Sequence, residues 1–149
     1  MIFRDDGANA VNRSDFQKLA EMRIDDAKTL LDQDKWAAAY YLAGYAVECG
    51  LKACIIASLK KSDDWPEKQF TVRCYNHNLN ELLELAGLND HRAAEAEADA
   101  IFDGFWSFAK AWNEASRYDH AITEKDAKTM YQAISDPAHG VLQWIRKQW

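Results

Sequence analysis

The chain has 149 residues, of which 48% are hydrophobic and 28% charged, with a formal net charge of -6. This length and composition predict one domain with a real hydrophobic core and exclude a disordered chain. The acidic balance argues against binding to a DNA duplex, because the phosphate backbone would be repelled over most of the surface.

The predicted elements begin after an N-terminal segment. Residues 1–13 show no helical periodicity and are predicted to form a flexible arm, followed by a single helical domain over residues 14–149. Ser14 stands at the start of a capping-box spacing, and apolar residues then recur at helical intervals to about Leu31. Asp34 follows a short turn and is the candidate N-cap of the second helix. The first two helices are therefore predicted to be antiparallel neighbours.

The second helix is the most informative segment, because Glu48 and Lys52 are its only formal charges between Trp36 and Leu59. A helix that is apolar almost all round is either a membrane span or the central helix of a bundle. Two charges inside a span would be costly, so the sequence predicts a bundle core and no membrane insertion. Since the two side chains stand one turn apart, they can form an ion pair of low exposure.

A long loop with at most one short extended piece is predicted over residues 61–76. A third helix of about ten residues follows, with His77 at its start and Gly87 at its end. A fourth helix is predicted over roughly residues 90–115, with an aromatic second half and a bend at Gly104.

A last helix opens at Thr123, and Pro137 either starts a new turn or kinks that helix. Six Gly and two Pro leave few breaks for a many-turned β fold. The fold class predicted from these elements is all-α, an up-and-down bundle of about five helices.

Cysteine usage and the N-terminus bear on the compartment. Cys49, Cys54 and Cys74 form no CxxC pair, and the first two lie in the apolar helix, as small core residues do in a reducing compartment. The first residues lack the apolar core of a signal peptide. These features predict a cytoplasmic protein.

Metal and cofactor signals are weak in this sequence. His91 and Glu95 are four residues apart, but no His-Glu-x-x-His or paired-cysteine pattern supports them. There is no Gly-rich phosphate loop, and no nucleophile is framed by a local motif. We therefore expect no metal and no cofactor.

Two groups of polar residues are candidate binding sites. His77, flanked by asparagines at a helix start, can cap backbone N–H groups or bridge to the second helix. The second group lies at the end of the predicted fourth helix. It consists of the cation Arg117, the aromatic ring of Tyr118, the carboxylate of Asp119 and the titratable base His120. Such a cluster can bind a nucleotide's phosphate and base, and an ion-paired helix end is the alternative.

Three segments together resemble HEPN domains (higher eukaryotes and prokaryotes nucleotide-binding): AKTLLDQDKWAAAYYLAGYAVECGLKA, NHNLNELLELAGL and WNEASRYD. The resemblance covers about residues 14–145, and its strongest part is the helix-two pattern with Glu48 and Lys52 four apart. It implies a bundle of four or five helices that forms a homodimer and occurs beside nucleotidyltransferases. In many toxins and defence systems such domains act as metal-independent RNases.

The resemblance and the charged pair together predict a binding module for a nucleotide, an RNA segment or a nucleotidyltransferase partner, within a toxin–antitoxin or defence system. Binding is expected in a polar groove, with contributions from Glu48, Lys52, His77, Arg117, Tyr118 and Asp119. The groove is predicted because charged groups in an apolar helix must be paired or used.

The RNase signature of the family, an Arg and a His separated by roughly four to six residues, is missing. Arg73 precedes His77 with three residues between them, and Arg117 precedes His120 with two. A binding protein is therefore expected rather than an enzyme. Two alternatives stay open: a metal-independent endoribonuclease that uses Arg117, His120 and His77, and a structural assembly module whose aromatic helices are buried in a dimer.

Overall fold

The computed structural model describes residues 11–149, apart from the side chain of Arg117. In that part of the chain there are α-helices and one 3₁₀ helix but no strand. The helices are α1 (Arg13–Asp32), α2 (Trp36–Leu59), α3 (Lys68–Arg73), α4 (Leu79–Leu85), α5 (Asn89–Ala98), α6 (Ala100–Ala109), the 3₁₀ helix (Glu114–Tyr118), α7 (Glu124–Ser135) and α8 (Val141–Arg146). The prediction of an all-α bundle is confirmed, with more and shorter helices than the five expected.

The helix α2 lies at the centre and contacts α1, α4, α7, α8 and the 3₁₀ helix. By length and composition it is the one described helix that could cross a membrane, and 67% of its most apolar window is buried inside the protein. The core helix of a bundle shows such burial, because neighbouring helices cover most of its surface.

The caps of the first two helices differ from the sequence prediction. Asn12, not Ser14, is the N-cap of α1, and it exchanges two 3.0 Å hydrogen bonds with Asp15 to complete a capping box. Helix α1 thus starts at Arg13, inside the range predicted as an arm; residues 1–10 of that arm lie outside the described residues. The N-cap of α2 is Lys35 and not Asp34, which adopts a left-handed φ of 58° in the turn before it.

The predicted long fourth helix is two helices that end at Ala109 instead of near residue 115, and the break between them is at Asp99, not at Gly104. Asp99 is extended, and its carboxylate accepts hydrogen bonds from the N–H groups of Ile101 and Phe102 at 3.0 and 3.1 Å. This side chain caps a new helix, so the chain restarts there. Gly104 lies inside α6.

The segments around residues 61–76 and Pro137 also differ in detail from the prediction. The extended piece expected in the loop is the helix α3, which places Phe70 and Cys74 one turn apart and both against the core. Pro137 lies in a new turn between α7 and α8, where the Asp136 carboxylate accepts backbone hydrogen bonds from Ala138 and His139. The predicted capping box at Thr123 is present at the start of α7.

Candidate functional site

The two charges of α2 meet His77 where α2, the start of α4 and the 3₁₀ helix come together. Glu48 is 2% exposed, and its Oε1 accepts a hydrogen bond from Lys52 Nζ at 3.0 Å. The same oxygen lies 2.8 Å from His77 Nδ1. Both the ion pair within α2 and the bridge from His77 to α2 are therefore present, and we call Glu48, Lys52 and His77 the charged cluster.

Local sequence explains why His77 is available for this bridge. Asn78 is the N-cap of α4 and accepts the Glu81 N–H at 3.0 Å, while Asn76 accepts the Asn78 N–H at 2.7 Å. Because the asparagines satisfy the backbone, the imidazole is not needed as a cap. Buried leucines of α4, among them Leu79 and Leu82, then anchor this end of the helix to the core.

A fourth residue, Glu114, completes the surroundings of His77. Its Oε2 lies 3.1 Å from His77 Nε2, and the two side chains are 45% and 41% exposed. Carboxylates only accept hydrogen bonds, so an imidazole donates to both partners only in its protonated form. Sequence reasoning assigned no role to Glu114, because a contact between distant segments leaves no local pattern.

The seam between α2 and the segment that follows α6 holds polar atoms without hydrogen-bond partners. Among the described residues, these buried atoms are Glu48 Oε2, Trp112 Nε1 and Ser116 Oγ. Trp112 packs on Gly44, one turn before Glu48, and a Cβ atom at Gly44 would lie 2.4 Å from the indole nitrogen. Unpaired buried polar groups cost about 1–3 kcal/mol each. Their concentration beside the charged cluster marks the seam as a candidate site.

The remaining predicted site residues follow Glu114 on the 3₁₀ helix and the next turn. The backbone of Arg117 belongs to that helix, but its side chain lies outside the described part of the protein. Tyr118 is 69% exposed, and His120 is exposed in the turn. Asp119 accepts the backbone N–H of Ala121 at 2.8 Å, which explains it as a turn residue.

The cysteines near the site are not poised as nucleophiles. Burial, reinforced by the nearby Glu48 carboxylate, raises the pKa of Cys49 to about 12. Burial likewise raises the pKa of Cys54 to about 12 and, to a smaller extent, the pKa of Cys74. The thiolate is the reactive form of cysteine, and a raised pKa depletes it at neutral pH. These residues therefore act as small core side chains.

No group of three or more His, Cys, Asp and Glu side chains that could hold a metal ion occurs among the described residues. A polar groove of about 290 Å³ lies between α4, α5 and α6, lined by Arg92, Lys110, Glu84 and Asp103 among others. None of the unpaired buried atoms lines this groove. The charged cluster is therefore the stronger candidate site.

The chain matches no family model, no curated protein and no solved structure. Its relation to HEPN domains thus stays a prediction from sequence.

Proposed function

We propose that the protein is a HEPN-type binding module that takes a nucleotide or an RNA segment at the charged cluster. The observation that carries the proposal is one buried carboxylate, Glu48, that holds the partly exposed Lys52 and His77 side by side. A lysine cation and an imidazole N–H fixed by such a partner are pre-organised for a phosphate oxygen. A local lysine cation beside an imidazole donor also suits an acidic protein, whose wider surface would repel nucleic acid.

Binding of a labelled single-stranded RNA and of a nucleoside monophosphate tests this function. We expect Lys52→Met and His77→Gln to weaken affinity about tenfold or more, since a hydrogen bond to a charged group is worth about 1.5–3 kcal/mol. Matched controls are Lys28→Met, in an exposed pair with Asp32, and His91→Gln, which is exposed on α5. Unchanged affinity in folded cluster variants would reject the proposal.

The cellular setting belongs to the same proposal: a cytoplasmic homodimer that works beside a nucleotidyltransferase in a toxin–antitoxin or defence system, without a membrane or duplex DNA. Large exposed apolar side chains support self-association, notably Trp65, which is 93% exposed, with Val72 and Tyr75. Size-exclusion chromatography with light scattering should give twice the 17.0 kDa chain mass. A measured mass equal to that of one chain would reject the homodimer. A dimer that binds neither a nucleotide nor RNA would favour the structural assembly module.

A second candidate function is a metal-independent endoribonuclease, favoured by the hydrogen bond that His77 Nδ1 donates to the buried Glu48 carboxylate. A carboxylate in this position orients an imidazole so that Nε2 can exchange protons. In that reaction Nε2, unprotonated and released from Glu114, takes the proton of a 2′-OH. The 2′-oxygen attacks the adjacent phosphorus to form a 2′,3′-cyclic phosphate, and the 5′-oxygen of the next nucleotide leaves with a proton from water. Cleavage of mixed RNA without divalent metal, lost in His77→Gln but kept in His120→Ala, would establish this activity; intact RNA would remove it.

A further inference from the structure

Glu114 occupies the side of His77 that is not turned towards α2. Its carboxylate oxygen lies 3.1 Å from Nε2, while Nδ1 is taken by Glu48 at 2.8 Å. Glu48 is buried, whereas Glu114 is 45% exposed. Of the two carboxylates, Glu114 is the one that can leave, because it regains water when it does.

The charges around His77 show what would follow if the Glu114 side chain moved away. With His77 donating to both carboxylates, two cations (Lys52 and His77) face two anions (Glu48 and Glu114), and their sum is zero. Without Glu114 the charged cluster carries one positive charge and a free N–H donor at Nε2. An oxyanion matches both the charge and the donor.

We infer that Glu114 is an internal anion held in the ligand's position, and that a phosphate group binds by displacing it from His77. This inference rests on the function proposed above and adds the way in which the site is closed when no phosphate is bound. Glu114 thus lowers the affinity of the site for weakly binding anions, because an anion must displace a tethered carboxylate before it can accept the hydrogen bond of His77.

The backbone around Glu114 permits the displacement. Asn113 caps the 3₁₀ helix by accepting the Ala115 N–H at 2.9 Å, so the helix start does not depend on the Glu114 side chain. Beneath the same segment lie the unpaired atoms Glu48 Oε2, Trp112 Nε1 and Ser116 Oγ. Unpaired polar atoms make the packing of this segment on α2 less favourable than a fully hydrogen-bonded interface, which lowers the cost of shifting it.

The test compares Glu114→Gln with Glu124→Gln in the full chain. The first removes the competing charge with little change in shape, and the second makes the same change in net charge at an exposed pair with Lys128. The probes are inorganic phosphate, adenosine monophosphate and a short single-stranded RNA, measured by calorimetry. We expect Glu114→Gln to bind about three- to tenfold more tightly than wild type, and Glu124→Gln to bind like wild type.

The probes separate the sources of the phosphate group. Tighter binding of all three supports recognition of a free or terminal phosphate, and tighter binding of RNA alone supports recognition of a phosphodiester. Equal or weaker binding by Glu114→Gln, or equal tightening by both variants, overturns the inference about Glu114. The proposed function survives that result if wild type binds and His77→Gln does not; absence of binding by every variant overturns both.

Discussion

At the scale of single residues, Glu48 is the side chain on which the charged cluster depends. Replacing one member of a buried ion pair leaves its partners uncompensated and costs about 3–5 kcal/mol. Lys52 and His77 stay partly hydrated, at 17% and 41% exposure. We therefore expect Glu48→Ala to lower the free energy of unfolding by an amount near the lower end of this range, about 3 kcal/mol. Urea unfolding followed by circular dichroism measures the loss.

A matched pair on the surface provides the control for this prediction. Lys28 and Asp32 have the same four-residue spacing but are both more than half exposed. Exposed pairs contribute little, so Lys28→Ala should unfold at nearly the urea midpoint of the wild type. If Glu48→Ala is as stable as Lys28→Ala, the charged cluster is not the structural anchor that its burial indicates.

At the scale of elements, the long apolar helix α2 and the capping box at Thr123 were predictable, because their signals lie within one or two turns of sequence. The break at Asp99 was not. Carboxylates are common in helix interiors as well as at caps, and only the observed hydrogen bonds to Ile101 and Phe102 show which role Asp99 takes. The helical start at Asn12 was missed for a similar reason, since Ser14 and Asn12 are both good caps.

Alanine substitutions at two helical glycines are expected to change the stability of the protein in opposite directions. At Gly44 a Cβ atom would lie 2.2 Å from Trp112 Cδ1, whereas at Gly104 it would meet open space. Gly44→Ala should therefore destabilise the protein by about 1–3 kcal/mol through overpacking. Gly104→Ala should stabilise it by about 0.5–1 kcal/mol through helix propensity. Thermal unfolding of both variants checks the contrast, and equal shifts would contradict the close packing of Trp112 on α2.

At the scale of the whole molecule, contacts between distant segments complete the site and hold the bundle ends together. The spacing of Glu48 and Lys52 made their pairing predictable, and the bridge from His77 was one of two roles foreseen for that residue. The contact with Glu114 was not foreseeable, because it depends on how the 3₁₀ helix packs on α2. Arg146 likewise donates two hydrogen bonds to Glu21, of 2.7 and 2.8 Å. No local sequence pattern predicts this contact.

One long-range pair should make the stability of the bundle depend on pH. His139, in the turn between α7 and α8, lies 2.7 Å from the carboxylate of Asp99, the cap of α6. This hydrogen bond raises the pKa of His139 above its ordinary 6.5, with a smaller contribution from the charge of Asp136. It also lowers the pKa of Asp99 below its ordinary 3.8, helped by the backbone donor of Phe102.

The sign of the effect follows from these two shifts. Stabilisation from His139 is complete below pH 6.5 and is lost as pH rises through its raised pKa, while stabilisation from Asp99 is present above pH 3.8 and is lost in more acidic solution. The thermal unfolding midpoint of the wild type should therefore lie above that of His139→Ala, and the difference should be largest at about pH 5. By about pH 9 the difference should be smaller. His91→Ala, at an exposed position of α5, should show no such trend. A constant difference for His139→Ala would mean that packing, not charge, joins the turn to α6.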